Sequence, residues 1–305
     1  MKVRRRWRAD SRRFRQMPMF PAEKRQLGFR NPADGGDSQA GRRSNLAIVP
    51  AFNEAGAIAS TVAAIRDAAP DFDVLVIDDG SSDATAELAA RAGAAVLRMP
   101  FNVGIGAAMQ SGYLFACERG YELAVQVDGD GQHDPRHIAD LAARLRADAR
   151  LDMVTGSRFL DEDLDGYRSS ACRRLGIRLF SRVVSLITGQ LVTDPTSGFR
   201  MTGRRGIELF ARDYPHDYPE VEAILLMHAH RLRSCEIPVS MRARLTGESS
   251  ISSTESAYYM IKVLLAIFVG LFRSRPVAKE TSVVHDSGAS VHAGPAEALP
   301  AVWPA

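Results

Sequence analysis

Residues 46–83 read LAIVPAFNEAGAIASTVAAIRDAAPDFDVLVIDDGSSD, and the order of apolar and polar residues there decides the fold. Leu46–Val49 is a short, continuously apolar run that ends at Pro50, which reads as a buried strand whose pairing Pro50 stops. Gly56–Ala69 places Ile58, Val62 and Ile65 on one helical face. Val74–Ile77 is a second buried strand, closed by the turn Asp78-Asp79-Gly80-Ser81-Ser82. Apolar strands that alternate with helices belong to a parallel sheet covered on both faces.

The alternation continues downstream. A helix over Ala84–Ala92 ends at Gly93, a residue suited to the position after a helix C-cap. Ala95–Met99 is a third strand, Ile105–Arg119 a helix, and Leu123–Val127 a fourth strand ending at Asp128. Pro135–Ala147 is a helix with proline in its first turn, and Met153–Thr155 a fifth strand. The later residues predict an amphipathic helix at Ala171–Thr188, a turn at Asp194–Gly198, a helix at Pro219–Ala229 and a strand near Ser234–Met241. The expected architecture is therefore α/β, a Rossmann-like, mostly parallel sheet flanked by helices. In such sheets ligands bind beyond the carboxyl ends of the strands. The polar clusters Asn53-Glu54, Asp78-Asp79 and Asp128 to His133 sit at those ends.

The third cluster, VQVDGDGQH at 125–133, carries the sharpest chemistry. Side chains at i and i+2 of an extended chain share a face about 7 Å apart. Asp128 and Asp130 repel each other unless a cation sits beside them. A hard ion such as Mg²⁺ or Mn²⁺ is held by one or two carboxylates together with phosphate oxygens. Gly129 and Gly131 let the backbone bend and approach a ligand. In the second cluster, Asp79 is expected to bind a base or ribose while Asp83 caps the following helix and Asp78 supports the turn. The His residues 133, 137, 228 and 230 read as surface or structural groups, not as metal ligands.

The motifs VPAFNE at 49–54, VIDDGSSDAT at 76–85, NVGIGAAMQSG at 102–112, DGDGQHDP at 128–135, GSRF at 156–159 and DPTSGFRM at 194–201 together resemble the family 2 glycosyltransferases of GT-A fold. They are most similar to the branch containing dolichol-phosphate mannose synthase and bacterial polyprenyl-phosphate glycosyltransferases. The resemblance implies that Pro50, Phe52, Glu54, Asp79, Asp128 and Gly129 bind the nucleotide sugar. It implies that Asp128, Asp130 and Gln132 hold Mg²⁺ or Mn²⁺, with Asp130 catalytic. Arg158 and Arg244 would face the acceptor or donor phosphates, although Ser250 stands where that branch often has lysine. The implied reaction is inverting transfer from a nucleoside diphosphate sugar to a polyprenyl or dolichyl-type phosphate. An anionic phosphate acceptor needs no general base, whereas a saccharide hydroxyl does. Arg173 and Arg174 could add charge for the phosphate, or belong to a solvated helix face. Glu220 and Glu222 are the base candidates if the acceptor is a hydroxyl, and otherwise a solvated face. A third reading is a nucleotide-sugar-binding subunit without activity. The only tryptophans are Trp7 and Trp303, so the tryptophan-bearing segment of sugar-polymerising relatives is missing.

The 305 residues, 46 % hydrophobic and 25 % charged, accommodate a sizeable core and exclude wholesale disorder. Cys117, Cys172 and Cys235 form no disulfide framework or CxxC pair, which fits a reducing compartment. Residues 1–43 hold thirteen Lys/Arg against four Asp/Glu, a net +9, leaving −6 on the remainder. An acidic body disfavours nucleic acid as partner. The expected organisation is a basic, disordered extension at 1–43, a transferase domain at 44–250, an apolar helix at 251–275 and a flexible tail at 276–305. Within the third part, seventeen residues from Ser256 to Phe272 would reach about 26 Å, short of a hydrocarbon core of about 30 Å. Lying in the interface or docked on a small membrane protein suits that length better than spanning, and burial in the core stays open. The resulting expectation is an enzyme on the cytoplasmic face of the cell membrane, peripheral or partly inserted.

Overall fold

The structure, a computed structural model, describes residues 44–160 and 171–242, with side chains of the second stretch from 178 onward. Arg173, Arg174, Arg244, Ser250, the 1–43 extension, the 256–272 helix and the 276–305 tail lie outside the described side chains.

Seven strands form one sheet in the order β3-β2-β1-β4-β6-β5-β7. They are β1 (Asn45–Ala51), β2 (Phe72–Asp78), β3 (Ala95–Arg98), β4 (Leu123–Gln126), β5 (Met153–Ser157), β6 (Arg200–Gly203) and β7 (Ser234–Pro238). The helices are α1 (Ile58–Ala68), α2 (Thr85–Arg91), α3 (Ile105–Glu118), α4 (Ile138–Ala147), α5 (Ala171–Thr188), α6 (Arg204–Arg212) and α7 (Pro219–Ala229). Alternate residues of each strand enter opposite cores. Leu46 and Ile48 face α3, α6 and α7, while Ala47 and Val49 face α1 and α4. Burying residues on both faces is why these strands carry no polar alternation.

Three features differ from the sequence expectation. The strand β6 pairs antiparallel with both β4 and β5 and separates them. Its four residues, RMTG, hold one apolar side chain and give no strand signal of their own. The helix α6 follows at once and packs on α3, with Tyr113 and Phe210 rings 5.0 Å apart. Pro50, third, stops pairing on one side only. Ile48 and Pro50 both turn their carbonyls toward the fourth strand, accepting from Val127 and Gly129. The ring nitrogen of Pro50 therefore also faces that side, where it has no hydrogen to give. The β1–β4 ladder accordingly ends at Ile48↔Gln126, while the β1–β2 ladder runs on to Ala51↔Asp78.

Candidate functional site

The bend after β4 delivers the Asp128–Asp130 segment under the end of β1. Gly129 donates its N–H to the Pro50 carbonyl at 3.2 Å. A Cβ on Gly129 would lie 3.0 Å from that oxygen and 3.2 Å from the Ala51 Cβ. Glycine is thus what lets the acidic bend sit this close to β1.

The loop after β1 is fastened to the loop after β2. Asn53, at φ 55°, receives the Ser82 N–H on its side-chain oxygen at 2.9 Å and donates its own N–H to Ser81 Oγ at 2.9 Å. Glu54 N–H donates to Thr85 Oγ1 at 2.9 Å. The residue before α2 is Ala84, so Asp83 lies one position earlier than a cap; its carboxylate accepts from the N–H groups of Thr85 and Ala55. Burial works to raise the Asp83 pKa, but these bonds and the Thr85 hydroxyl outweigh it and hold the group below its ordinary value. Asp78 accepts the Ser81 N–H at 3.1 Å, as a turn support does.

Asp79 is buried, and its two oxygens accept the N–H groups of Val103 at 2.7 Å and Gly104 at 2.9 Å. It orders the loop that opens α3. Asp79 also lines the cavity between these loops.

Between these loops lies a cavity of about 370 Å³, within the range of small-molecule sites. Of the residues singled out by sequence, Pro50, Phe52, Glu54, Asp79, Asp128, Gly129 and Asp130 all line it. Asn102, Gly104, Ile105 and Ala108 supply the α3 side. Gln132 does not line the cavity; its N–H donates to Asp130 Oδ1 at 3.0 Å and its carbonyl accepts from Arg242 N–H at 2.9 Å.

Asp128 has a supporting set that the sequence did not reveal. Gln126 Nε2 donates to Oδ1 at 3.1 Å. The Asp128 N–H donates to His133 Nδ1 at 3.0 Å, and His133 Nε2 lies 3.5 Å from Asp128 Oδ2. His133 is buried, stacked on Phe199 at 4.9 Å and 13°. The expectation of a structural histidine is met, with the structure it serves being the acidic bend itself. From the other side, a Cβ on Gly198 would lie 3.4 Å from both Asp128 oxygens.

Arg158 is not among the cavity-lining residues. Its guanidinium meets the fully buried Asp194, Nε to Oδ2 at 2.6 Å and Nη2 to Oδ1 at 2.8 Å, and also reaches Thr196 Oγ1 at 2.8 Å. Glu236 fixes the same turn by accepting the N–H groups of Thr193 at 2.7 Å and Asp194 at 3.1 Å. Arg158 therefore fastens the Asp194–Gly198 turn that abuts Asp128.

Glu220 corrects an expectation. It does not stand on a solvated face but lines the cavity with Asp128 and Asp130. Burial raises its pKa, and the nearby Asp128 charge adds to this against the pull of Arg200. Proline at the first position of α7 sets where that helix begins, and hence where Glu220 points its first turn. Among the described residues no group of three or more His, Cys, Asp or Glu converges to hold a metal, and no helix is long and apolar enough to cross a membrane.

A mixed sheet of this order, with a pair of acidic residues at the carboxyl end of β4 opening on a nucleotide-sized cavity, defines a glycosyltransferase of GT-A architecture. The chain belongs to glycosyl transferase family 2, whose pattern it matches over residues 46–210. It is 31 % identical to an undecaprenyl-phosphate mannosyltransferase of Micrococcus luteus, over 68 % of this chain and 87 % of that one. It is 28 % identical to a polyprenol monophosphomannose synthase of Mycolicibacterium smegmatis, over 80 % and 92 % respectively. Among solved structures, glucosyl-3-phosphoglycerate synthase of Mycobacterium tuberculosis, in complex with Mn²⁺, UDP and glucosyl-3-phosphoglycerate, shares the fold at a TM-score of 0.58 and 20 % identity, covering 74 % of this chain and 78 % of that one.

Proposed function

We propose that this glycosyltransferase moves a sugar from a nucleoside diphosphate sugar to a polyprenyl phosphate at the cytoplasmic face of a membrane. The observation that carries the donor half is the convergence of Asp128, Asp130, Asp79 and Glu54 on one cavity. The acceptor half is supported by relatives named for undecaprenyl-phosphate and polyprenol phosphate chemistry.

Asp128 and Asp130 offer oxygen donors only, and the Asp128 side chain is 39 % exposed. The missing Cβ of Gly198 keeps its carboxylate uncrowded. Such a donor set fits Mg²⁺ or Mn²⁺ completed by phosphate oxygens and water. Asp128 and Asp130 would hold the ion, with Gln132 beside them. When bound, it neutralises charge on the departing diphosphate. Pro50, Phe52, Glu54 and Asp79 seat the nucleoside, and Gly129 admits the diphosphate close to the backbone. One acceptor phosphate oxygen attacks the anomeric carbon in line as the bond to the diphosphate oxygen breaks, inverting the centre. No proton has to leave the nucleophile. Arg242, the last described residue of this stretch, donates its N–H to the Gln132 carbonyl at 2.9 Å beside the acidic bend. Arg244 is accordingly proposed to meet phosphate, and Arg158 to hold the turn behind Asp128.

One observation favours a second reading. Glu220 faces the cavity with a raised pKa, which suits a general base for a saccharide hydroxyl. The deciding experiment supplies nucleotide sugars, Mg²⁺ or Mn²⁺, and either undecaprenyl phosphate or saccharide acceptors to the native enzyme and Glu220→Gln. The proposal expects a mild-acid-labile glycolipid, with Glu220→Gln within about tenfold of native, below the usual worth of a general base. Product on saccharides alone, abolished in Glu220→Gln, would establish the second reading instead.

A further inference from the structure

We propose that the outer face of α5 is the surface on which this enzyme docks to an anionic lipid bilayer. The proposal deepens the lipid-phosphate reading above and, for its purpose, rests on it. The inner face of α5 is spent on the core through Phe180 and Val184, both buried. The outward side of the helix carries leucines next to arginines. Leu179 is 51 % exposed and Leu186 86 %, and Leu191, on the turn that follows, is 74 % exposed. Leu179 and Leu186 are seven residues apart, so they lie on one ridge two turns apart. Single exposed leucines are ordinary on a protein surface; three along one helix and its exit, beside a cationic ridge, are not.

Arg178 and Arg182, both exposed, form that neighbouring ridge one turn apart. The whole helix carries four arginines and no Asp or Glu. Leucines beside arginines on one face are the pattern of a helix lying in a membrane interface, its long cationic side chains reaching the headgroups while the leucines enter the acyl boundary. Charge also chooses between occupants. A second copy seated on this face would set arginine ridges against each other, whereas an anionic leaflet complements them. The helix packs on α7, whose first turn brings Glu220 to the cavity. Docking here therefore holds the cavity near a membrane-borne phosphate.

The test must discount residues 1–43, whose net +9 would bind anionic vesicles by itself. A reporter at position 186 does so. The full chain carrying Trp7→Phe, Trp303→Phe and Leu186→Trp is titrated with vesicles of phosphatidylcholine and phosphatidylglycerol. Docking predicts blue-shifted emission from position 186 that brominated acyl chains quench. Adding Arg178→Gln and Arg182→Gln should weaken the binding seen by this reporter by about thirtyfold, the worth of two cations near an anionic surface. Emission that stays unshifted and unquenched while the protein sediments with vesicles overturns the proposal. So does a vesicle-free dimer that Leu186→Glu dissolves. In a second measurement, Leu179→Glu with Leu186→Glu should keep transfer to a short-chain, water-soluble polyprenyl phosphate and lose about tenfold or more with vesicle-borne acceptor, since charges replace both buried leucines; equal activity on the two also overturns it. Quenching at 186 without any transfer to lipid phosphate would sink the acceptor reading and leave the docking face standing.

Discussion

The backbone N–H of Asp128 donates to Nδ1 of His133 at 3.0 Å, while Nε2 of the same ring lies 3.5 Å from Oδ2 of Asp128. A ring nitrogen that accepts carries no proton, so the neutral ring bears its proton on Nε2, the edge turned toward the carboxylate. One buried imidazole thus anchors the backbone of a proposed metal ligand and stands next to its carboxylate. Partners of this kind are worth about 10–100-fold in metal affinity. His133→Ala is expected to weaken Mn²⁺ binding, measured by calorimetry in the presence of nucleoside diphosphate, by about tenfold or more. A variant that melts earlier but binds Mn²⁺ unchanged would assign His133 to packing on Phe199 alone.

Asp130 makes a separate prediction. Its Oδ1 accepts the Gln132 N–H at 3.0 Å, a bond that an asparagine oxygen can keep. Asp130→Asn should therefore fold with native stability yet lose transfer by at least about a hundredfold, because a neutral amide oxygen holds far less firmly the divalent ion that offsets charge on the departing diphosphate. Turnover assays beside a thermal melt check this. Full activity in the variant would remove Asp130 from the chemistry.

How far the sequence could be read follows from how local each signal is. Gly93 after α2, at φ 92°, and proline at the start of α7 act within one turn, and both were legible. The acidic bend was legible too, because β4 and its polar end are contiguous. β6 was not, since its pairing depends on neighbours at Leu123–Gln126 and Met153–Thr155. Nor could spacing show that Arg158 meets Asp194 across 36 residues, or that Glu220 arrives beside Asp128. Those contacts are made by topology, and nothing in a one-dimensional pattern records them.

The pairing of Arg158 with Asp194 predicts a stability effect. The two side chains are 12 % and 0 % exposed. Removing one partner of a buried pair leaves the other charge without compensation and costs about 3–5 kcal/mol. Arg158→Ala should lower the unfolding free energy in urea by that order. Arg158→Ala together with Asp194→Asn should recover part of it, because the stranded carboxylate is gone. A single variant with native stability would show that the pair contributes no net stability.

Asp134 predicts an acid limb. Burial alone would raise its pKa, but hydrogen bonds from Arg136 and the nearby Arg242 outweigh this and hold it at about 2, below the ordinary 3.8. A folded-state pKa below the unfolded value adds stability that is complete above the unfolded pKa and lost as pH falls toward the folded one. Between about pH 4 and pH 2 the fold should lose roughly 1–2 kcal/mol from this group, the lower part of that range allowing for solvent around the two arginines. Asp134→Asn should be less stable than native at neutral pH and converge with it near pH 2. Parallel stability curves across that window would contradict the assignment.

Gly198 tests whether the turn behind Asp128 matters to the site and not to the fold. Its backbone is free of positive φ among the described glycines, so alanine is conformationally acceptable. The added Cβ would stand 2.9 Å from Gln126 Nε2 and 3.4 Å from each Asp128 oxygen. The amide can rotate away only by giving up its bond to Asp128 Oδ1. Gly198→Ala should thus leave the melting temperature within about 4 °C, the shift of roughly 1 kcal/mol in a domain of this size. It should raise the Mn²⁺ concentration for half-maximal rate by about tenfold, as lost outer support of a metal ligand does. Gln126→Ala in the same background gives the cross-check. If crowding of the amide is the cause, the second substitution adds little to the first, because both remove one bond to the same carboxylate. Fully additive losses would mean that the methyl group acts elsewhere, on the peptide geometry of the turn that Arg158 and Asp194 hold.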